Sequence, residues 1–205
     1  MDEGAPHTDR VELRDGRVVL VAPLHVDDRE RFVSGIGRAS PESLYKRFMT
    51  PVKRLSEVQL RYLLDVDHRD HEALLAVDED SGLAVGIARF VRDRERPNVA
   101  EGAILVVDDW QGVGLGKALG RLLADRARAL GIERFDAWLL SDNRAMLAVL
   151  ESLGPLREVG RDGATVRVEV ELPERGIGEH MTGILRAVAT GDFKLAPKPG
   201  DDGGG

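Results

Sequence analysis

Residues 111–117 read Gln-Gly-Val-Gly-Leu-Gly-Lys, and the apolar run Ala-Ile-Leu-Val-Val at 103–107 stands shortly before them. This order predicts a β-strand that turns through a glycine-rich loop into an α-helix. At such a helix N-terminus the first backbone N–H groups have no partner and lie at the positive end of the helix dipole. Because glycine lets a ligand approach the backbone closely, the stretch predicts a phosphate or pyrophosphate site. A tight strand-to-helix turn without a ligand is the alternative interpretation.

The spacing of the glycines fits neither of two common nucleotide-binding motifs. A P-loop needs a hydroxyl residue after its lysine, and Ala118 stands there. The dinucleotide-binding pattern G-x-G-x-x-G needs a three-residue step, whereas Gly112, Gly114 and Gly116 are two apart. The stretch does match another pattern, Q/R-x-x-G-x-G/A, which begins here at Gln111.

With its surroundings, this pattern resembles the GCN5-related N-acetyltransferase (GNAT) superfamily over residues 10–172. The resemblance rests on the segments 101–107, 111–117 and 142–154. It implies an α/β fold with a mixed, mostly antiparallel central sheet, a splayed central strand and helices on both faces. It also implies acetyl-CoA as co-substrate, with its pyrophosphate on the loop amides and its pantetheine arm against the central strand.

A closer resemblance is carried by the strings at 40–48, 107–112 and 142–147, which are similar to the bacterial protein-lysine acetyltransferase branch. That branch implies a lysine acceptor on a protein such as an acyl-CoA synthetase. Two other functions stay open at this point. One is acetylation of a small amine, such as a polyamine, an antibiotic or an amino acid. The other is a non-catalytic domain that binds acetyl-CoA as a sensor.

The resemblance assigns most of the site residues to the co-substrate. The predicted acetyl-CoA-binding residues are Leu105, Val106, Val107, Gln111, Gly112, Val113, Gly114, Leu115, Gly116, Lys117, Asn143 and Met146. Among them, a backbone N–H near Leu105 or Val106 is expected to face the thioester oxygen, where negative charge develops. Lys117 either adds a cation or points to solvent. Asn143 is an N-cap, a contact to the pantetheine arm, or both.

Amine acetylation also needs a base, since an ammonium with a pKa near about 10 must lose a proton before its nitrogen attacks. The resemblance assigns this role to Glu101, at the start of the central strand. We expect partial burial there, because burial makes a carboxylate a better base near neutral pH. The alternative is a strand-end glutamate that faces water or pairs with Arg89.

One departure from the family concerns the acid that protonates the leaving thiolate. Many members place a tyrosine seven residues after the asparagine, and Leu150 stands at that position. Tyr45 and Tyr62 are the only tyrosines of the chain, and we expect both to lie in helices near the acceptor. Either hydroxyl could serve as the acid, but packing is the favoured role, so no general acid is assigned.

The composition limits the chemistry further. The chain has 205 residues, a net charge of −7 and no cysteine. Without cysteine an acyl-enzyme thioester is excluded, so the acceptor amine attacks directly in a ternary complex. The histidines show no H-E-x-x-H pairing, and we expect His68 and His71 in a solvated loop rather than on one helical face. The sequence therefore predicts no metal.

The same composition bounds partners and location. The absence of a basic cluster argues against nucleic acid. No apolar run is long enough to span a bilayer, and residues 1–7 lack the pattern of a signal sequence. We expect a cytoplasmic protein with no membrane partner, as a monomer or homodimer.

Hydrophobic periodicity and turn residues place the elements. Strands are predicted at 17–22, 73–77, 84–91, 99–107, 135–140 and 164–172. Helices are predicted at 27–36, 41–48, 56–64, from the glycine loop to Leu130, and at 143–153. We expect the acetyltransferase domain to span 10–172, with a helical extension at 173–190 and a disordered tail at 191–205.

Overall fold

The computed structural model describes residues 8–51 and 55–173. The predicted helical extension at 173–190, apart from Pro173, and the predicted disordered tail at 191–205 lie outside the described residues. The elements, in chain order, are β1 (Asp9–Glu12), β2 (Val18–Pro23), α1 (Arg29–Arg38), α2 (Pro41–Phe48), α3 (Glu57–Leu64), β3 (His71–Asp78), β4 (Ala84–Arg92), β5 (Val99–Val106), α4 (Leu115–Ala129), β6 (Arg134–Leu140), α5 (Arg144–Leu150), β7 (Leu156–Asp162) and β8 (Thr165–Glu171).

The strands form one eight-stranded sheet in the order β1-β2-β3-β4-β5-β6-β8-β7. Every neighbouring pair is antiparallel except β5 and β6, which run parallel. This parallel pair is short, because only Val99–Glu101 of β5 lies against Arg134–Asp136 of β6. Past Glu101 the two strands separate. The predicted fold class, a mixed and mostly antiparallel sheet with a splayed central strand, is confirmed.

Side-chain caps define where α2 and α3, the two helices beside the site, begin. Ser40 accepts a hydrogen bond from the Ser43 amide at 3.2 Å, and Pro41 occupies the first helical position of α2. Ser56 and Gln59 form a reciprocal capping box at the start of α3. The helices predicted at 41–48 and 56–64 are confirmed, with Ser56 as the cap rather than the first turn.

Two apolar clusters cover the two faces of the sheet. The cluster beneath α1, α2 and α3 includes Leu24, Phe32, Leu44, Leu60, Leu63, Leu75, Ile87 and Leu105. The larger cluster beneath α4 and α5 includes Phe90, Ile104, Leu115, Leu119, Leu123, Phe135, Val149 and Val170. Successive side chains of a strand point to opposite faces, so Ile104 and Leu105 belong to different clusters. Helices cover both faces, as predicted.

The structure corrects several element predictions. The edge strands β1 and β7 were not predicted, since more than half of the residues in each are charged and both lie at the outside of the sheet. The helix predicted at 27–36 is a 3-10 turn at Val26–Asp28 followed by α1. The helix predicted at 143–153 is shorter, because Asn143 is its cap and 151–153 form turns. In the described ranges, no helix is long and apolar enough to cross a membrane.

Candidate active site

A cleft of about 250 Å³ lies beside the glycine-rich loop, between α2, β5 and α5. We call it the glycine-loop cleft. The residues of the predicted co-substrate set that line it are Leu105, Val106, Gln111, Gly112, Gly114, Gly116, Lys117, Asn143 and Met146. The structure therefore brings the loop, the central strand and the helix after β6 to one place, as the sequence predicted.

Val107, Val113 and Leu115 are the members of the predicted set that do not reach the glycine-loop cleft with a side chain. Their side chains pack in the apolar cluster beneath α4, and Leu115 is fully buried. None of them lines the glycine-loop cleft. Val113 and Leu115 can therefore offer a ligand only their backbone, and the Val107 amide is already bonded to the Val85 carbonyl oxygen.

The loop backbone is shaped for an anion. Gly112 and Gly114 have φ angles of 77° and 102°, in the left-handed region that favours glycine. Gly114 is the residue before α4, and its lack of a side chain leaves the helix N-terminus uncapped. Over the part of the chain that the structure describes, no acceptor bonds the amides of Leu115, Gly116 and Lys117. Free amides at the positive end of a fifteen-residue helix are suited to bind phosphate.

Gly116 has a different function from the two glycines before it. A Cβ atom at this position would lie 3.3 Å from Cγ2 of Val149. The glycine therefore allows α5 to pack closely on the first turn of α4. This packing also brings Asn143, the cap of α5, to the glycine-loop cleft.

Basic side chains from two further elements complete this cleft. Arg14, Lys46 and Arg47 line it together with Lys117. The Arg14 amide donates to the Val113 carbonyl oxygen at 3.1 Å, which ties the β1–β2 turn to the loop. Sequence reasoning missed Arg14, Lys46 and Arg47, because they come from segments distant in the chain and no spacing relates them to the loop. Even without Arg47, the side chains of Arg14, Lys46 and Lys117 give this cleft the cationic lining that a pyrophosphate needs.

The Gln111 side chain makes internal contacts. Its amide nitrogen donates to the Ser43 hydroxyl at 2.9 Å and to the Val106 carbonyl oxygen at 3.0 Å. Gln111 thus connects α2, β5 and the loop. It fixes the shape of the glycine-loop cleft, and its two amide hydrogens are already engaged in these bonds.

Asp108 extends this network to the start of α2. Its carboxylate accepts from the Ser40 amide at 2.8 Å, the Ser40 hydroxyl at 2.7 Å and the Ser43 hydroxyl at 3.0 Å. Partial burial raises the pKa of Asp108, but the bonds from Ser40 and Ser43 outweigh it, so the pKa lies below its ordinary value. The carboxylate is ionised in the folded protein and anchors α2 above the end of β5.

The separation of β5 from β6 leaves backbone groups without a strand partner. The Val107 amide donates to the Val85 carbonyl oxygen at 2.9 Å, on the β4 side. Amides alternate along an antiparallel ladder, so the Leu105 amide also faces β4. Those of Ile104 and Val106 consequently face the gap. Of the two predicted donors to the thioester oxygen, the register favours Val106.

A second cleft, of about 700 Å³, lies on the other side of β5, under α2 and α3. We call it the arginine cleft because Arg47, Arg89, Arg92, Arg96 and Arg167 line it. Its acidic lining residues are Asp93, Glu101 and Asp136. Arg92 is paired with Asp70, and Arg96 and Arg167 with Asp136.

Glu101 lines the arginine cleft at the point where β5 leaves β6. The side chain is exposed, so the predicted partial burial is not observed. The backbone of Glu101 is paired with Val91 of β4 and Asp136 of β6, so its side chain leaves the face of the sheet and opens into the arginine cleft. The alternative pairing with Arg89 is also absent, since Arg89 donates to the Leu63 carbonyl oxygen at 2.9 Å and contacts Nε2 of His71.

A small space of about 50 Å³, which we call the junction, shares lining residues with both clefts. Glu101 and Arg47 line both the junction and the arginine cleft. Asn143 and Met146 line both the junction and the glycine-loop cleft. Arg47 lines all of these spaces. A ligand in the glycine-loop cleft can therefore meet a second ligand at Glu101.

The structure distinguishes the three positions considered for a general acid by the space that each one lines. Leu150 is buried and lines the junction, so the position that carries tyrosine in many family members has no hydroxyl here. Tyr62 lines the arginine cleft and is 60% exposed. Tyr45 lines none of the three spaces around β5. Tyr62 is thus the tyrosine within reach of a ligand in the arginine cleft.

Asn143 and the histidines complete the comparison with the sequence predictions. The Asn143 side-chain oxygen accepts from the Met146 amide at 3.1 Å, so its role as N-cap is observed. His71 is the first residue of β3, half-buried against Arg89, and not in a loop as predicted for both His68 and His71. Among residues 8–51 and 55–173, no three His, Asp or Glu side chains are grouped to hold a metal.

Comparison with known proteins identifies this arrangement. A model of the Acetyltransferase (GNAT) family matches residues 40–154, more than half of the chain. The chain belongs to the GNAT family of acetyltransferases, enzymes that use acetyl-CoA. The resemblance to the GNAT superfamily and to its bacterial protein-lysine acetyltransferase branch is confirmed.

Three relatives show how far the similarity extends. Acetyltransferase Pat of Mycolicibacterium smegmatis is 36% identical over 163 residues, 80% of this chain and 48% of that protein. Acetyltransferase PA5475 of Pseudomonas aeruginosa is 37% identical over 155 residues, 75% of this chain and 83% of that protein. The crystal structure of the GNAT domain of S. lividans PAT superposes with a TM-score of 0.74 at 35% identity, covering 80% of this chain and 97% of that domain. The chain thus spans about half the length of the M. smegmatis relative.

Proposed function

We propose that the enzyme transfers the acetyl group of acetyl-CoA to the side-chain amine of a protein lysine, with Glu101 as general base. The observation that carries this proposal is the position of Glu101 at the junction of two clefts. One cleft has free helix amides and basic side chains for a pyrophosphate. The other is large enough for an acceptor chain and opens beside the same carboxylate.

The proposed reaction proceeds by direct attack. The Glu101 carboxylate takes a proton from the lysine ammonium, and the neutral nitrogen attacks the thioester carbonyl carbon. A C–N bond forms, the nitrogen releases its second proton to solvent, the C–S bond breaks, and the sulfur leaves with its electron pair as the CoA thiolate. The Val106 amide faces the gap where the thioester oxygen gains negative charge. The thiolate is a good leaving group and takes its proton from solvent, which suits a junction without a tyrosine.

The rim of the arginine cleft supports a protein acceptor over a small amine. Val58, Tyr62 and Trp138 line this cleft and are 71%, 60% and 42% exposed. Exposed apolar and aromatic side chains around a polar interior are typical of a surface that another protein covers. The M. smegmatis and S. lividans relatives are both named Pat, for protein acetyltransferase, which also supports a protein acceptor.

Release of thiol from acetyl-CoA, followed with a thiol-reactive dye, tests the proposal. The panel contains an acyl-CoA synthetase, lysine peptides and polyamines. The enzyme has no cysteine and adds no background. We expect release with the protein acceptor and a loss of about 10²- to 10⁴-fold in kcat/KM in Glu101→Gln. Glu95→Gln, which removes an exposed glutamate outside the clefts, is the matched control.

The outcomes separate the alternatives. Release only with polyamines would establish the small-amine function in place of the lysine one. Tight binding of acetyl-CoA without release on any acceptor would establish a sensor. A Glu101→Gln variant as active as Glu95→Gln would show that another group takes the proton.

A further inference from the structure

Within residues 8–51 and 55–173, two guanidinium groups of the arginine cleft form no ion pair with a carboxylate. Three of its arginines are paired with aspartates, as described above. Arg89 is only 4% exposed, and its side chain bonds a backbone carbonyl and a histidine. For Arg47, no hydrogen bond or ion pair is formed with any residue in 8–51 or 55–173, and its ring contact is with Phe48, 5.0 Å away. Among the described residues, the cleft therefore contains two basic groups that form no ion pair with a carboxylate.

These two groups are also close enough to repel each other. Burial and the neighbouring charge of Arg47 lower the pKa of Arg89 to about 10, so Arg89 stays charged at neutral pH. Burial likewise lowers the pKa of Arg47, and the charge of Glu101 offsets part of this effect. His71 does not help, because burial and Arg89 lower its pKa and keep it neutral. A buried charge without a counterion is costly, and a second like charge adds to that cost.

We infer that Arg47 and Arg89 form a subsite for an anionic group on the acceptor, next to the amine that Glu101 deprotonates. On a protein this group is an acidic side chain beside the target lysine, and on a small molecule it is a carboxylate or phosphate. The lysine as the neighbouring amine rests on the proposed function. The binding of an anion by Arg47 and Arg89 does not depend on it. Arg89 faces Ala103 across β4 and β5, two residues from Glu101 on the same face, so anion and amine can occupy adjacent positions.

Three peptides test the subsite: lysine flanked by glutamates, lysine flanked by glutamines, and a peptide with the same glutamates several residues away. Calorimetry in the presence of CoA gives their affinities without turnover. We expect the first peptide to bind about tenfold more tightly than the other two, the range of one or two charge-assisted hydrogen bonds. Arg47→Gln should reduce this preference to less than about twofold. Arg61→Gln removes an exposed arginine of α3 outside the cleft and should keep the preference.

Arg89→Gln gives the same test but also removes the bond to α3 and can unfold the protein, so Arg47→Gln is the deciding variant. Equal affinity for the three peptides, or a preference that survives Arg47→Gln, overturns the inference. Reaction with succinyl-CoA that depends on Arg47, with no peptide preference, assigns the anion to the acyl group and overturns it as well.

A probe independent of lysine separates this inference from the proposed function. Glutarate alone, titrated calorimetrically, should bind the wild type and lose affinity in Arg47→Gln. Glutarate binding without acetylation of any lysine acceptor leaves the subsite standing while the lysine function fails. Acetylation of all three peptides with equal efficiency leaves the lysine function standing while the subsite fails.

Discussion

Replacement of Asp108 by asparagine tests how α2 is held over the central strand. The carboxylate accepts three hydrogen bonds, from the Ser40 amide, the Ser40 hydroxyl and the Ser43 hydroxyl, at 2.7–3.0 Å. Asparagine keeps one acceptor oxygen and turns an NH₂ group toward the remaining donor. The helix that carries Lys46 and Arg47 should therefore loosen from the turn after β5.

The size of the effect follows from these bonds. A hydrogen bond to a charged group contributes about 1.5–3 kcal/mol when it is well shielded from water. Asp108 is exposed, and solvent screens its charge, so we expect Asp108→Asn to lose about 1–2 kcal/mol of unfolding free energy. For a domain of this size that corresponds to a decrease in Tm of about 4 °C.

Urea denaturation measures this loss, and Asp109→Asn is its control. Asp109 lies in the same turn, is exposed, and in the described ranges its side chain forms no hydrogen bond or ion pair. Its replacement removes the same charge and should change the unfolding free energy by less than about 0.5 kcal/mol. Equal stability of Asp108→Asn and Asp109→Asn at neutral pH would refute the reasoning.

The pH dependence gives an independent check with a defined sign. The pKa of Asp108 is lower in the folded protein than in the unfolded chain. Its stabilisation is therefore complete above the unfolded pKa, near about 4, and disappears as the pH falls through the folded pKa. The stability gap between wild type and Asp108→Asn should narrow in acid, and a gap that stays constant contradicts the assignment.

Three more changes follow from the structure. Gly114→Ala puts a side chain at a φ of 102° and should lower the free energy of unfolding in urea by about 1–2 kcal/mol. It should also weaken acetyl-CoA binding in calorimetry, and an unchanged affinity would show that the loop does not bind the co-substrate. Phe90→Ala removes a fully buried ring whose centroid lies 6.0 Å from that of Phe135. The free energy of unfolding should fall by about 3–5 kcal/mol in the same assay, and a loss below about 1 kcal/mol would contradict the burial. The pKa of His71 is lowered by burial and by Arg89, so the unfolded chain binds a proton first as the pH falls below about 6.5. The wild type therefore loses stability as the pH falls, and His71→Gln should lose less over the same range. An unchanged stability profile between about pH 5 and 7 would show that His71 does not contribute to this loss.

Local sequence signals predicted the elements that have strong local determinants. The pair Ser40-Pro41 fixed the start of α2, and the glycine loop fixed the start of α4. β1 and β7 were not predicted because more than half of the residues in each are charged and neither shows an apolar alternation. Edge strands are defined by the strand they pair with, which a local pattern does not show.

The site residues that are contiguous in sequence were predicted. Those that the fold brings together from distant segments were missed. Gln111 and the loop glycines are contiguous, so one motif was sufficient to find them. Arg14 and Arg47 reach the same cleft from the β1–β2 turn and from α2. Their positions depend on tertiary packing, which neither spacing nor composition encodes. The exposure of Glu101 was missed for the same reason, since it depends on the cleft that the helices leave open over this face of the sheet.

The divergence of β5 and β6 gives the sheet an opening in its interior in addition to its outer edges at β1 and β7. Backbone groups on an open edge tend to pair with whatever extended chain is available, including another copy. A ligand lying in the opening acts as the missing strand and joins the two halves of the sheet. At a hundred times its Kd, such a ligand adds about 2.7 kcal/mol to the unfolding free energy. We therefore expect the lifetime of the folded enzyme, and not only its turnover, to rise and fall with the supply of acetyl donor in the cell.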